Sequence, residues 1–278
     1  MAELDDPAVT TYLEPEDQQV DDSGVDEAAD DVSSTQSISS SILRYRVENG
    51  RTYTTYGSGE YSLPTDEEEQ DRLTDEHEEA EVLGLDLSPI QPSWFEVDDL
   101  EKPWMFKHPF DFVFIRSMIA SFKDWRVVFN EAFKNIEPGG YIEVQDNVYP
   151  LASDNDTTKS TNILRWSELM VEAADKLGRS ITVARDFESM LADAGFVDIV
   201  EIRKKIPMNR WPKDLRYKEL GTWSCHMLRN GIEGISMGLL TGLGLSVEEV
   251  HVLLANVRKD LSDTTIHGYW DTYDTPLP

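Results

Sequence analysis

Cysteine is almost absent: Cys225 is the only one in 278 residues. That excludes an intrachain disulfide framework and a cysteine-rich zinc site. Basic residues are scarce as well, 25 Lys and Arg against 54 Asp and Glu, for a formal charge of −29. That balance argues against a protein that binds nucleic acid by neutralising phosphates. No run approaches eighteen consecutive apolar residues, so no membrane span is expected. The opening residues, MAELDDPAVT, lack the basic-then-apolar order of a signal peptide. The expectation is a soluble intracellular protein, in cytoplasm or nucleus, with no direct nucleic-acid partner and no membrane contact. The five histidines (His77, His108, His226, His251 and His267) show no metal-ligand spacing, so no metal site is expected.

What is present is enough for a core: 40% of residues are hydrophobic and 10% aromatic. The charge is uneven. Residues 1–43 carry twelve acids and no Lys or Arg, and residues 66–81 carry ten acids and one Arg. Over two thirds of the excess lies before residue 82. The first segment is also Ser-rich towards its end and poor in large apolar side chains, so it buries too little surface to offset its ordering entropy. Residues 1–40 are expected to form a disordered acidic tail, either solubilising or a site of protein-partner contact or phosphorylation. Residues 41–278 form the expected domain.

Periodicity then lays out an α/β chain. The stretch Thr65-Asp66-Glu67-Glu68 looks like a helix start. Val82 to Leu87 is a short apolar run expected as a buried, parallel strand. Phe95 to Asp98 and Phe110 to Ile115 are further strands. Asp124 to Ile136 carries a helical apolar stripe, and Pro138-Gly139-Gly140 ends it ahead of a strand at 141–144. Helices are expected over Ile163–Leu177, Phe187–Ala194 and Pro212–Asn230, and from the capping box at Ser246-Val247-Glu248-Glu249 to about Leu261. Phe196–Ile202 alternates as a strand, and Ile266–Trp270 is expected as a last, short one. Gly238 to Gly244 is expected as a helix–helix turn. Trp166, Trp211, Trp223 and Trp270 are expected in the core.

Ligands of open parallel sheets bind beyond the carboxyl ends of the strands. Three acids sit at such ends: Asp86, Asp98 and Asp99. One strand-end carboxylate can accept two hydrogen bonds from a ribose diol, and a second can accept one from an exocyclic adenine amine. That constellation suits an adenosine-bearing cofactor, although such acids also serve as helix caps and solvated turns. Glu143 and Asp146, at another strand end, are candidates to line a substrate pocket. Cys225-His226 lies inside a helix, where neighbours point about 100° apart, so it is not expected to act as a dyad.

The words around these acids carry a resemblance. Glu81 to Pro89 (EVLGLDLSP), Phe95 to Trp104 (FEVDDLEKPW) and Pro138 to Asp146 (PGGYIEVQD) follow in order. They resemble the second, third and later motifs of class I S-adenosylmethionine-dependent methyltransferases. More narrowly, the chain resembles the fungal LaeA-like methyltransferases linked to secondary metabolism. That likeness rests on Ser41 to Arg46, Glu48 to Tyr53, Tyr61 to Pro64, Glu67 to Leu73, Asn209 to Asp214 and Val257 to Asp260, and covers most of residues 41–270. It implies a seven-stranded, mixed, Rossmann-like sheet with S-adenosylmethionine as cofactor. It implies Asp86 at the ribose, Asp99 or its neighbour Asp98 at the adenine amine, the Leu100 backbone alongside, and Tyr53 covering the cofactor. Arg116 follows the strand at 110–115 and faces the same side; a salt-bridged structural role is the alternative. The acceptor, a small molecule or a protein, is left open, and no catalytic residue is named, because methyl transfer needs alignment above all.

One motif of the family is missing. Its first strand, Gly-rich turn and helix need roughly 30 residues. Only Thr74 to Glu81 separate Leu73 from Val82. The expected fold is therefore the class I methyltransferase sheet without its first, central strand and helix, truncated between 73 and 82, and the final strand is expected to be incomplete. Two functions follow from this: a methyltransferase in fungal secondary metabolism or its regulation, or a catalytically inactive relative or truncated gene product.

Overall fold

The computed structural model describes residues 12–16, 45–48, 51–54, 83–86, 95–97 and 99–275. The chain divides into two units, Glu16–Asp98 and a larger one of Met1–Pro15 with Asp99–Pro278. The helix expected from Thr65 lies outside the described residues.

In the smaller unit, β1 (Tyr45–Glu48) pairs antiparallel with β2 (Arg51–Thr54). The Asn49-Gly50 dipeptide between them is the strongest short hairpin signal a sequence offers. The strands β3 (Gly84–Asp86) and β4 (Phe95–Val97) pair in parallel, with Asp86 opposite Val97. Both lie within the apolar runs that predict them, and β3 has the predicted parallel direction.

The larger unit is built on a four-stranded sheet. Its strands are β5 (Phe110–Arg116), β6 (Ile136–Ala152), β7 (Ile202–Pro207) and β8 (Tyr269–Asp274), in the order β5-β6-β8-β7. β5 and β6 are parallel, and β8 runs antiparallel to both its neighbours. This mixed α/β arrangement agrees with the Rossmann-like class. Two helices, α1 (Trp125–Asn135) and α3 (Phe187–Ala194), cover one face. They enclose Ile115, Val144 and Val148 with Trp125, Phe129, Phe187 and Leu191. A second core joins α2 (Asn162–Lys176), α4 (Leu215–Leu243) and α5 (Val247–Ser262) around Trp166, Ile232, Leu240 and Leu254.

Several helices start and stop where local chemistry dictates. Asp124 caps α1 through the Arg126 amide, and the Ser246–Glu249 capping box opens α5. α3 spans the expected residues and ends at Gly195 with φ of +115°. A Cβ there would meet both a left-handed backbone and the Phe133 ring at 2.8 Å.

Other expectations are corrected. The strand expected over 196–202 lies instead at 202–207, where Lys205 is buried against Asp154 and hides the apolar alternation. The strand expected at 141–144 extends over Ile136–Ala152, and Pro138–Gly140 is absorbed in a register shift between Phe110 and Phe112. The last strand, expected at 266–270, lies three to four residues further on. β8 spans Tyr269–Asp274 and sits inside the sheet. The helix expected to stop at Asn230 runs on to Leu243, because Ile232, Ser236 and Leu240 form a buried stripe along it. The turn at the glycine cluster is confined to Gly244-Leu245, before the Ser246 cap. Trp166, Trp211 and Trp270 are buried as expected, but Trp223 is 55% exposed. Finally, Tyr12–Glu16 departs from the expected disordered tail. Leu13 is buried against Trp211 and Tyr269, the Lys213 amide donates to the Glu14 carbonyl at 2.8 Å, and Pro15 bridges to Pro212.

Candidate functional site

Parallel strands release the chain at their carboxyl ends, and there β5 opens into a tight loop, Ser117–Ser121. The Ser117 amide donates to the Gln145 carbonyl at 3.0 Å. The next two amides, of Met118 and Ile119, both donate to Asp146 Oδ2, at 2.7 and 2.9 Å. Asp146 Oδ1 accepts from the Asn147 amide at 2.9 Å. Asp146 is 3% exposed. Burial outweighs these three donors and pushes its carboxyl up to about 6. Nearby, the phenol of the partly buried Tyr149 is pushed up to about 12, first by desolvation and then by the Asp146 charge. Ser117 and Ala120 hold φ of +55° and +63°.

A second turn flanks this loop. Glu101 Oε1 accepts from the Lys123 and Asp124 amides at 2.9 and 3.0 Å. Asp99 Oδ1 accepts from the Glu101 amide at 3.1 Å, and Asp99 Oδ2 pairs with Lys102 at 3.1 Å. The hydrogen bond from Lys102 is the main reason that Asp99 lies below the usual carboxylate range, with the Glu101 amide next and the Arg179 charge contributing least. Arg179 also donates to the Ser121 carbonyl. The Leu100 carbonyl accepts from Trp104 Nε1 at 3.2 Å, and the Trp104 amide donates to buried Glu131. The turn bearing Asp99 and Leu100 is thus tied by Glu101 to the residues that follow the loop after β5, and Arg179 holds the end of that loop.

A methyltransferase-domain family model matches residues 63–201. Methyltransferase pytC of Aspergillus terreus is 34% identical, over 86% of this chain and 89% of its own. This chain belongs to the methyltransferase family. The probable methyltransferase tdiE of Emericella nidulans is 32% identical over 69% of this chain and 59% of its own. The secondary metabolism regulator LAE1 of Cochliobolus heterostrophus is 26% identical over 80% and 91%. Among solved structures, a putative methyltransferase of Bacillus halodurans C-125 aligns at a TM-score of 0.38 with 14% identity, over 80% of this chain and 89% of that one.

S-adenosylmethionine is the methyl donor of this methyltransferase family. Asp86 is the last residue of β3, at the carboxyl end of a parallel pair, and Asp99 and Leu100 form the turn that follows β4 by two residues. Tyr53 is the third residue of β2. Asp98 lies outside the described residues. Tyr53 and Asp86 belong to the smaller unit, Asp99 and Leu100 to the larger. In the loop after β5, which holds no glycine, Asp146 occupies the amides of Met118 and Ile119.

Arg116 is the exposed last residue of β5 and makes no ion pair among the described residues, so the salt-bridged alternative finds no support there. Glu143 is partly buried, with its carboxyl raised by burial and by Asp274. Among the described residues no cluster of His, Cys, Asp or Glu could hold a metal. Cys225 is half-buried, its Sγ on the Leu261 carbonyl at 3.4 Å, while His226 contacts Asn230, so the two do not act together. No helix among the described residues is long and apolar enough to cross a membrane. The sequence put Glu143 and Asp146 at a strand end, whereas both lie inside β6, and it missed the hold of Asp146 on the loop. The only local signal was an acid two residues after the run at 141–144.

Proposed function

We propose that this methyltransferase-family chain transfers the methyl group of S-adenosylmethionine to a small-molecule acceptor in fungal secondary metabolism. The observation that carries the reading is near full-length likeness to a protein named as a methyltransferase, with 34% identity over 86% of this chain. The relatives named as regulators are more distant, at 23–26%. In this reading Asp86 accepts both ribose hydroxyls, Asp99 accepts from the adenine amine, the Leu100 amide faces the adenine ring, and Tyr53 covers the cofactor. The cofactor supplies an electrophilic methyl on a sulfonium. The chain's task is to bind it, shield it from water and align the acceptor.

A second reading is favoured by one observation. Eight residues, Thr74 to Glu81, stand where a Gly-rich strand, turn and helix would need roughly 30. It makes the chain a methyltransferase-like binding protein without catalysis, with the acidic tail as its partner contact.

Calorimetric titration of S-adenosylhomocysteine into the full chain separates the two. Micromolar binding that Asp86→Ala abolishes supports the enzyme and its ribose site. Unchanged affinity in Asp86→Ala removes the site assignment. Absence of heat from a chain with a cooperative thermal transition overturns the first reading in favour of the second.

A further inference from the structure

We propose that Asp146 is a positioning residue: from inside the sheet it fixes the Ser117–Ser121 loop, and through it the Asp99 turn, in the shape that receives the cofactor. This rests on the cofactor reading above. Ser117 and Ala120 of the loop are both non-glycine residues in the left-handed region, at φ of +55° and +63°. L-residues avoid that region, so such a loop persists only when its surroundings over-determine it. Asp146 supplies the hold from below, with one carboxylate oxygen taking two consecutive amides at 2.7 and 2.9 Å. Arg179 supplies it from the far end, on the Ser121 carbonyl.

A turn needed only to connect β5 to α1 has simpler solutions, with glycine at the left-handed positions. Sealing a carboxylate 28 residues away beneath the loop is a costly alternative, since a buried acid loses its hydration. Placement explains it. The loop stands at the carboxyl end of β5, where its parallel pairing with β6 stops at Arg116 and Gln145, on the side where ligands of such sheets bind. It is followed closely by Lys123 and Asp124, whose amides hold Glu101 next to Asp99 and Leu100. Arg179 holds the far end of the loop at the Ser121 carbonyl. Removing Asp146 therefore frees the loop and loosens the turn that carries the adenine-side residues.

The test compares three variants of the full chain with wild type: Asp146→Ala, Asp146→Asn and Val148→Ala. Val148 lies two residues on, on the same face of β6, and is 1% exposed, so its truncation lowers stability while leaving the Asp146 hydrogen bonds to the loop in place. Three quantities are measured: S-adenosylhomocysteine affinity by calorimetry, thermal midpoint, and hydrogen exchange of the segment containing Met118 and Ile119. Asp146→Ala is expected to weaken binding at least tenfold and to speed exchange of those amides. Asp146→Asn, which keeps one acceptor oxygen, should fall between it and wild type. Val148→Ala should bind within twofold of wild type despite a comparable fall in midpoint. Wild-type affinity in Asp146→Ala, or in Asp146→Asn should the alanine variant not fold, overturns the positioning role alone. A loss that only tracks the midpoint, shared by Val148→Ala, does the same. A folded wild type that does not bind the ligand overturns this proposal together with the cofactor reading.

Discussion

A carboxyl group pushed up to about 6 leaves a mark on stability as well as on the loop it holds. In the unfolded chain Asp146 releases its proton near pH 4. In the folded chain it keeps that proton until about pH 6. Between those values the folded state binds more protons, so this group's contribution falls as pH rises and is flat above. The gap between the two titrations corresponds to roughly 3 kcal/mol. Denaturant unfolding of wild type and Asp146→Asn at pH 4, 5, 6 and 7 should show the difference moving in favour of wild type by up to that amount towards pH 4. A difference independent of pH would refute the assignment. Residues of this kind are half legible in the sequence. That Asp146 follows the apolar run at 141–144 can be read, but that β6 continues past it and that its partners lie 27 and 28 residues away cannot. Lys205 is hidden in the same way. Its Nζ lies 2.6 Å from Asp154 and 4.5 Å from the Tyr269 ring centre, so a lysine occupies a core position that pattern alone assigns to water.

Among the elements, α4 shows how local rules fail. Its glycines look like a turn, yet the helix passes through Gly231, Gly234, Gly238 and Gly242 and is held by its buried stripe. Trp166 Nε1 donates to Ser236 Oγ at 2.9 Å in the middle of that stripe. The glycines of this helix differ sharply among themselves. A Cβ on Gly234 meets nothing within 4 Å, whereas one on Gly221 would overlap the Asn209 carbonyl. Gly234→Ala should therefore raise stability by about 0.5–1 kcal/mol, through helix propensity. Gly221→Ala should lower it by about 1–3 kcal/mol or more, because α4 must move off the Asn209 backbone. Urea unfolding of both variants checks the pair, and equal effects would contradict the close approach. Where caps and apolar spacing sit within one element, sequence reading succeeds: α3 and α5 begin at their expected positions. Even there the neighbours add what it cannot see. Asp260 of α5 accepts from the Asn162 and Ile163 amides at 2.6 and 3.0 Å, capping α2 from 98 and 97 residues away.

At the scale of the whole molecule, the acid-rich start of the chain contributes to the fold through Leu13, which is 4% exposed between Trp211 and Tyr269. Burying a leucine stabilises by about 1.5–3 kcal/mol, enough to hold a short segment in place. Leu13→Asp should release residues 12–16, speed exchange of the Lys213 amide and red-shift tryptophan emission as Trp211 gains water, with exchange in α2 and α5 unchanged. Unchanged Lys213 exchange would refute the docking. The sequence by itself determined the α/β class, the methyltransferase likeness and the limits of the well-capped helices, because capping, helical periodicity and strand alternation act within a few residues. Only the tertiary structure decided that β8 enters the sheet between β6 and β7, that α4 runs through its glycines, that Leu13 docks on Trp211, and that Asp146 carries the loop after β5. Each of those depends on which distant residues share burial and hydrogen bonds, and no window of neighbouring residues contains that information.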